Sequence, residues 1–150
     1  MSDCKENSLG RLIYFTAQEL SNFAEKVLRP YDLTLEQFHL LKEMPEDLGL
    51  SQRQICEIAN KKPANMTRIL DRLESKGLMV RRANPEDRRA SLVYLTEKGL
   101  ELLATVHGGF DFFSKRIVQG ISEKEQEMAR SVLKKMSENL LEMTDELSKI

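Results

Sequence analysis

The chain has no tryptophan and only two cysteines, two histidines and four prolines in 150 residues. Cys4 and Cys56 do not build the dense framework of a small secreted domain, so reduced thiols are expected. His39 and His107 lie far apart, with no second histidine at ligand spacing. Asp111, one turn after His107, does not complete a metal set, so no metal site is expected. No apolar run approaches the roughly 18 residues that read as a membrane span. The opening MSDCKENS has no apolar signal-peptide core. A cytoplasmic protein with no membrane partner is therefore expected. No Ser/His/Asp or Cys/His arrangement and no glycine-rich phosphate loop stands out. The chain is accordingly read as no enzyme, with no catalytic residues and no cofactor. Repeats, low-complexity tracts and flexible linkers are likewise missing.

What is present is ordinary globular composition, 41% hydrophobic and 31% charged, with an uneven spread of charge. The net charge is −1, yet Ser51 to Ala90 holds ten Lys/Arg against five Asp/Glu, a local +5 that leaves −6 elsewhere. A basic segment on an acidic chain is an electrostatic footprint for phosphate. An unevenly charged solvated surface is the plainer alternative.

Helical spacing organises most of the chain. Leu9, Leu12, Ile13, Thr16, Leu20, Phe23, Val27 and Leu28 predict a first helix from about Ser8 to Leu28, stopped by Pro30. Thr34 with Gln37, and Ser51 with Gln54, are capping boxes for a second and third helix. The second carries Leu35, Phe38, Leu41 and Met44 inward and ends at Pro45; the third carries Ile55, Ile58 and Ala59, with Cys56 read as a small core residue. Asn60-Lys61-Lys62 is a tight connection into a fourth helix that starts at Pro63, where no amide bond is lost. Met66, Ile69, Leu70 and Leu73 are its apolar face, and Ala64, Arg68, Asp71 and Ser75 point the other way. Gly77 ends it as a left-handed cap. Two short strands are expected at Met79–Arg82 and Ser91–Leu95, joined by a loop holding Asn84-Pro85-Glu86-Asp87-Arg88-Arg89. Two short helices around a tight turn, followed by an arginine-tipped hairpin, form the layout of a winged helix-turn-helix.

After the wing, Thr96 caps a fifth helix with Leu103, Val106, Phe110, Phe113 and Ile117 in steps of three and four. Gly108-Gly109 marks a kink or a close approach in it. Ser122 with Glu125 opens a last helix carrying Met128, Val132, Met136, Leu140, Met143 and Leu147 inward. The fold class expected is mainly α with a small β-hairpin wing. Residues 1–32 and 97–150 are expected as a helical dimerisation module, and 33–96 as the DNA-binding winged helix-turn-helix domain. A twofold protein suits palindromic DNA.

The reader resembles the MarR family of bacterial regulators. The resemblance is carried by Leu50-Ser51-Gln52, Met66-Thr67-Arg68, Leu73-Glu74-Ser75-Lys76-Gly77-Leu78, Pro85-Glu86-Asp87-Arg88-Arg89-Ala90 and Leu95-Thr96-Glu97-Lys98-Gly99. It implies a homodimer on a palindromic operator in double-stranded DNA, usually a repressor, and in many members a small phenolic or other amphipathic effector. Other members sense oxidants or metal. The resemblance places groove contacts on Pro63, Ala64, Asn65, Thr67 and Arg68, and the wing arginine of the Asp-x-Arg position on Arg89, with Asp87 as its partner. Chemically, Ala64 and Thr67 suit thymine methyls, Asn65 adenine, and Arg68 guanine or phosphate. Arg72, a turn further on, suits phosphate. Ser51 and Gln52 are phosphate anchors at a helix start, or plain caps. Arg89 suits a narrow minor groove, with Asp87 turned inward to hold it. Arg88 is a phosphate candidate; so are Arg81 and Arg82, unless they are simply exposed strand residues. No residue can be assigned to an effector pocket, although Tyr14, Phe15, Phe23, Tyr31, Phe38, Phe110 and Phe113 suit either a pocket or a core. The alternative function is a winged-helix protein–protein or architectural module that reads no sequence.

Overall fold

The structure is a computed structural model that describes residues 8–59 and 61–150; Cys4 and Asn60 lie outside them. In chain order it consists of α1 (Leu9–Leu28), a 3-10 turn (Arg29–Tyr31), α2 (Leu35–Glu43), α3 (Gln52–Ala59), α4 (Pro63–Ser75), β1 (Met79–Asn84), β2 (Asp87–Leu95), α5 (Glu97–Ile117) and α6 (Glu123–Leu147). The chain forms two compact units, one reaching Gly108 and the other running from Gly109 to Ile150. The divide falls on the glycine pair in α5, which continues through it as helix. Nothing lies within 4 Å of where a side chain would start at Gly108 or Gly109, so the expected close approach is not made by the described residues.

Local chemistry sets the helix ends. Ser8 caps α1, its hydroxyl accepting from the Arg11 amide at 3.3 Å. The helix gives way at Leu28 to a 3-10 turn around Pro30, and Asp32 then adopts left-handed backbone. Thr34 and Gln37 bond reciprocally at the start of α2, as do Ser122 and Glu125 at the start of α6. The Ser122 amide bond to Glu125 also holds that exposed carboxyl below the usual carboxylate range. At the end of α4 the Gly77 amide bonds the Glu74 carbonyl and the Leu78 amide bonds the Leu73 carbonyl, with Gly77 at φ 72°. That paired closure is the Schellman arrangement, which only glycine adopts without strain. The Thr96 hydroxyl donates to the Gly77 carbonyl and accepts from the Gly99 amide, tying the end of α4 to the start of α5. A Cβ on Gly99 would stand 2.2 Å from the Leu78 carbonyl oxygen, so the backbones approach as closely as glycine allows.

The core of the first unit gathers Leu28, Leu41, Ile55, Met66, Leu70, Leu73, Met79 and Val93, all of them fully buried. The apolar face of α4 thus lies inside, as its spacing requires. Two expectations need correction here. Ile58 is 48% exposed, because it lines an open cleft of about 380 Å³ whose walls come from α2, α3 and α4. Cys56 is half-buried rather than a core residue.

β1 and β2 pair antiparallel, Met79 opposite Leu95 through to Ala83 opposite Ser91, and then Asn84 opposite Asp87. Both strands are longer than expected and the loop shrinks to Pro85-Glu86. The shortening follows from the Asx residues. Asn84 Oδ1 accepts from the Glu86 amide at 3.1 Å, and Asp87 Oδ1 from the Arg89 amide at 3.0 Å, so the side chains supply the turn's acceptors. Arg88, Arg89 and Ala90 bulge out of the ladder. Leu50 adds a third, single-residue pairing, exchanging both backbone bonds with Val93. In the second unit α6 buries no residue.

Candidate nucleic-acid interface

The interface expected from sequence lies along the outer side of α4 and the tip of the wing. Pro63, Ala64, Asn65, Thr67, Arg68 and Arg72 are all exposed, and none is packed into the core. Pro63 occupies the first position of α4, and Lys62 precedes it in extended backbone. Asp87, Arg88 and Arg89 are exposed at the wing. Asp87 is therefore not turned inward. It holds the backbone amide of Arg89 rather than its guanidinium, since a carboxylate so near in sequence reaches the local N–H first.

Ion pairing sorts the basic residues of the segment into two sets. Arg53, Lys61, Lys76 and Arg81 are engaged with acids. Among the described residues no ion pair is made by Lys62, Arg68, Arg72, Arg82, Arg88 or Arg89, and these are the ones on the outer side of α4 and on the wing. Arg81 is the residue that makes this possible. From β1 it reaches Asp71 at 2.9 Å and Glu74 at 3.3 Å, and its own amide bonds Glu74 at 3.2 Å. One guanidinium is thereby shared between both acids of α4, offsetting part of their charge, and the wing is pinned to the helix. Arg81 is thus neither a free phosphate contact nor a simple exposed strand residue. Arg82 instead lies over the Tyr94 ring, 5.9 Å from its centre.

A second polar cluster braces the helix-turn-helix corner. Lys61, in the turn, pairs with Glu36 of α2 at 2.5 Å. The Lys61 hydrogen bond holds the Glu36 carboxyl below the ordinary carboxylate range, with the charges of Lys61 and Arg68 adding and partial burial opposing. Lys76, just past the end of α4, donates to the Asp32 carbonyl and, at 3.1 Å, to Gln37. Ser51 caps α3 through the Gln54 amide, while its own amide is taken by Gln54 Oε1 at 2.9 Å. That leaves the next amides of the first turn, on Gln52 and Arg53, without helical partners. Gln52 does more than head the helix: its Nε2 donates to Thr67 Oγ1 at 2.6 Å.

The Arg81 clamp, the Glu36–Lys61 pair and the Gln52–Thr67 bond were not readable from the sequence. Each joins residues on different elements, and spacing within one helix carries no trace of them.

Similarity to known proteins agrees with this geometry. The family model described as "MarR family" matches residues 33–91. A DNA complex of MepR from S. aureus is 27% identical with TM-score 0.81, the alignment covering 91% of this chain and 99% of that one. A single-residue mutant of MarR from E. coli, complexed with operator DNA, is 30% identical with TM-score 0.77, covering 85% and 92%. The regulator SlyA, 24% identical with TM-score 0.77, shares the fold. A helix-turn-helix with its polar side outward, a clamped two-stranded wing and this likeness over most of its length place the chain in the MarR family of winged-helix transcription regulators, which are not enzymes.

Proposed function

We propose that the protein is a repressor that binds palindromic operator DNA as a homodimer in the cytoplasm and is released by a small amphipathic effector. Residues 33–96 would read the DNA, and 1–32 with 97–150 would join the two copies. One observation carries the DNA-reading part: within the basic segment Ser51 to Ala90, the described cations that make no ion pair lie at the start of α4, along its outer side and on the wing, while both acids of α4 are engaged by Arg81. In this reading Pro63, Ala64, Asn65, Thr67 and Arg68 face the major groove, and Arg72, Ser51 and Gln52 meet phosphate. Arg88 contacts backbone, and Arg89, presented by Asp87, enters the minor groove. The DNA complexes of MepR and MarR support the docking mode. The effector rests on kinship alone; one relative is described as a regulator of the S. aureus multidrug efflux pump MepA.

Selection from random duplexes is the test. The expected outcome is a palindromic consensus, bound with an affinity that falls steeply as salt rises, because neutralised phosphates release counterions. A protein–protein or architectural module would enrich no sequence, and that result would overturn the proposal.

A further inference from the structure

We infer that Gln52 is a specificity-positioning residue: together with the Pro63 carbonyl, which takes the Thr67 proton, it fixes the Thr67 side chain so that Thr67 reads thymine through its methyl group. This rests on the reading that α4 lies in the major groove, and refines it. The argument is one of hydrogen-bond capacity. A threonine hydroxyl has one proton to give and two lone pairs to receive with. The Thr67 proton is directed back along α4 to the Pro63 carbonyl, 3.1 Å away. Because that proton is spent, the 2.6 Å contact with Gln52 has to be donated by the carboxamide Nε2. The hydroxyl then has nothing left to offer the acceptors N7, O6 and O4 that dominate the major groove. What an exposed Thr67 still presents is its γ-methyl and one lone pair; thymine offers no major-groove donor to the lone pair but carries the apolar group that matches the methyl.

Gln52 heads α3 while Thr67 lies on the second turn of α4, so the bond joins the two helices of the reader on its outer side. Among the described residues nothing else bonds the Gln52 carboxamide, and its second N–H remains available to a phosphate. One side chain would thus couple backbone anchoring to the orientation of a base-reading residue. A threonine read through its hydroxyl and one read through its methyl respond in opposite ways to the same pair of substitutions.

The experiment uses the full chain on its selected palindrome, replacing each thymine in turn by deoxyuridine, which lacks only the methyl. One thymine per half-site is expected to lose about fourfold in affinity when its methyl is removed. Thr67→Val, which keeps a methyl, discards the hydroxyl and is confined by its β-branch to one helical rotamer, should preserve that thymine-to-uracil ratio. Thr67→Ser should bring it to about one. Gln52→Ala should flatten the ratio by leaving the Thr67 side chain held through its bond to the Pro63 carbonyl alone, with the thermal midpoint unchanged. A ratio untouched in Gln52→Ala, an equal loss on all sequences in that variant, or a ratio kept by Thr67→Ser but lost in Thr67→Val would each overturn the inference while leaving the DNA reading intact. If the wild-type protein enriches no sequence, the functional proposal itself has failed.

Discussion

Arg81 and Arg89 look alike in the sequence and do opposite things in the structure. Arg81 is three-quarters buried at its side chain and spans two acids of α4; Arg89 is exposed on the bulge with only its amide held. Replacing Arg89 by alanine should weaken operator binding by about 1–3 kcal/mol and leave stability alone. Arg81→Ala should cost about 1 kcal/mol of stability, since the pairs it makes are partly solvated. It should weaken DNA binding as well, because Asp71 and Glu74 would then face phosphate uncompensated. Adding Asp71→Asn and Glu74→Gln to Arg81→Ala should restore most of the binding but not the stability. Gel shifts and denaturant midpoints on the same variants check both halves. A triple variant that still binds as poorly as the single would show that Arg81 contacts DNA itself.

At the level of elements, much was legible beforehand because the signals are local. Pro63, the Met66–Leu73 spacing and Gly77 fix both ends and the buried face of α4, and the capping boxes of Thr34, Ser51 and Ser122 all form. The wing was less legible. Its turn residues stand out in the sequence, yet Asn84 and Asp87 bond backbone so close by that the loop tightens to two residues and Arg88 and Arg89 leave the ladder. Ile58 departs from its expected burial for a related reason, since helical phase says which side a residue faces and not whether another element fills the space there. The wing geometry gives a sharp contrast. If Asp87 acts as an acceptor for the Arg89 amide, asparagine can replace it. Asp87→Asn should keep operator affinity or raise it slightly by removing a negative charge near phosphate, and Asp87→Ala should lower it by about 1 kcal/mol, the net value of one hydrogen bond. Equal losses in the two variants would mean that the charge, acting on the guanidinium, is what matters.

For the whole molecule the unsolved quantity is apolar surface. Met128, Leu140, Met143 and Leu147 of α6 are each more than half exposed, and so are Leu9 and Leu12 of α1. No helix among the described residues is long and apolar enough to cross a membrane, so a membrane-spanning helix does not account for these faces. Monomeric proteins seldom leave contiguous apolar patches of this kind in water. The proposed homodimer would cover them, and it would also set two readers on one duplex, where binding of the first raises the effective concentration of the second. The two consequences stand or fall together. Leu140→Glu combined with Met143→Glu places charge on the α6 stripe, far in sequence from α4 and the wing. The double variant should sediment as a monomer at concentrations where the wild type is a dimer. Its affinity for the full palindrome should drop about a hundredfold or more, while its weak affinity for an isolated half-site stays as it was. A variant that remained dimeric would place the interface elsewhere. A monomer that bound the palindrome as tightly as the wild type would show that each reader works alone, and the palindrome would then owe nothing to the symmetry of the protein.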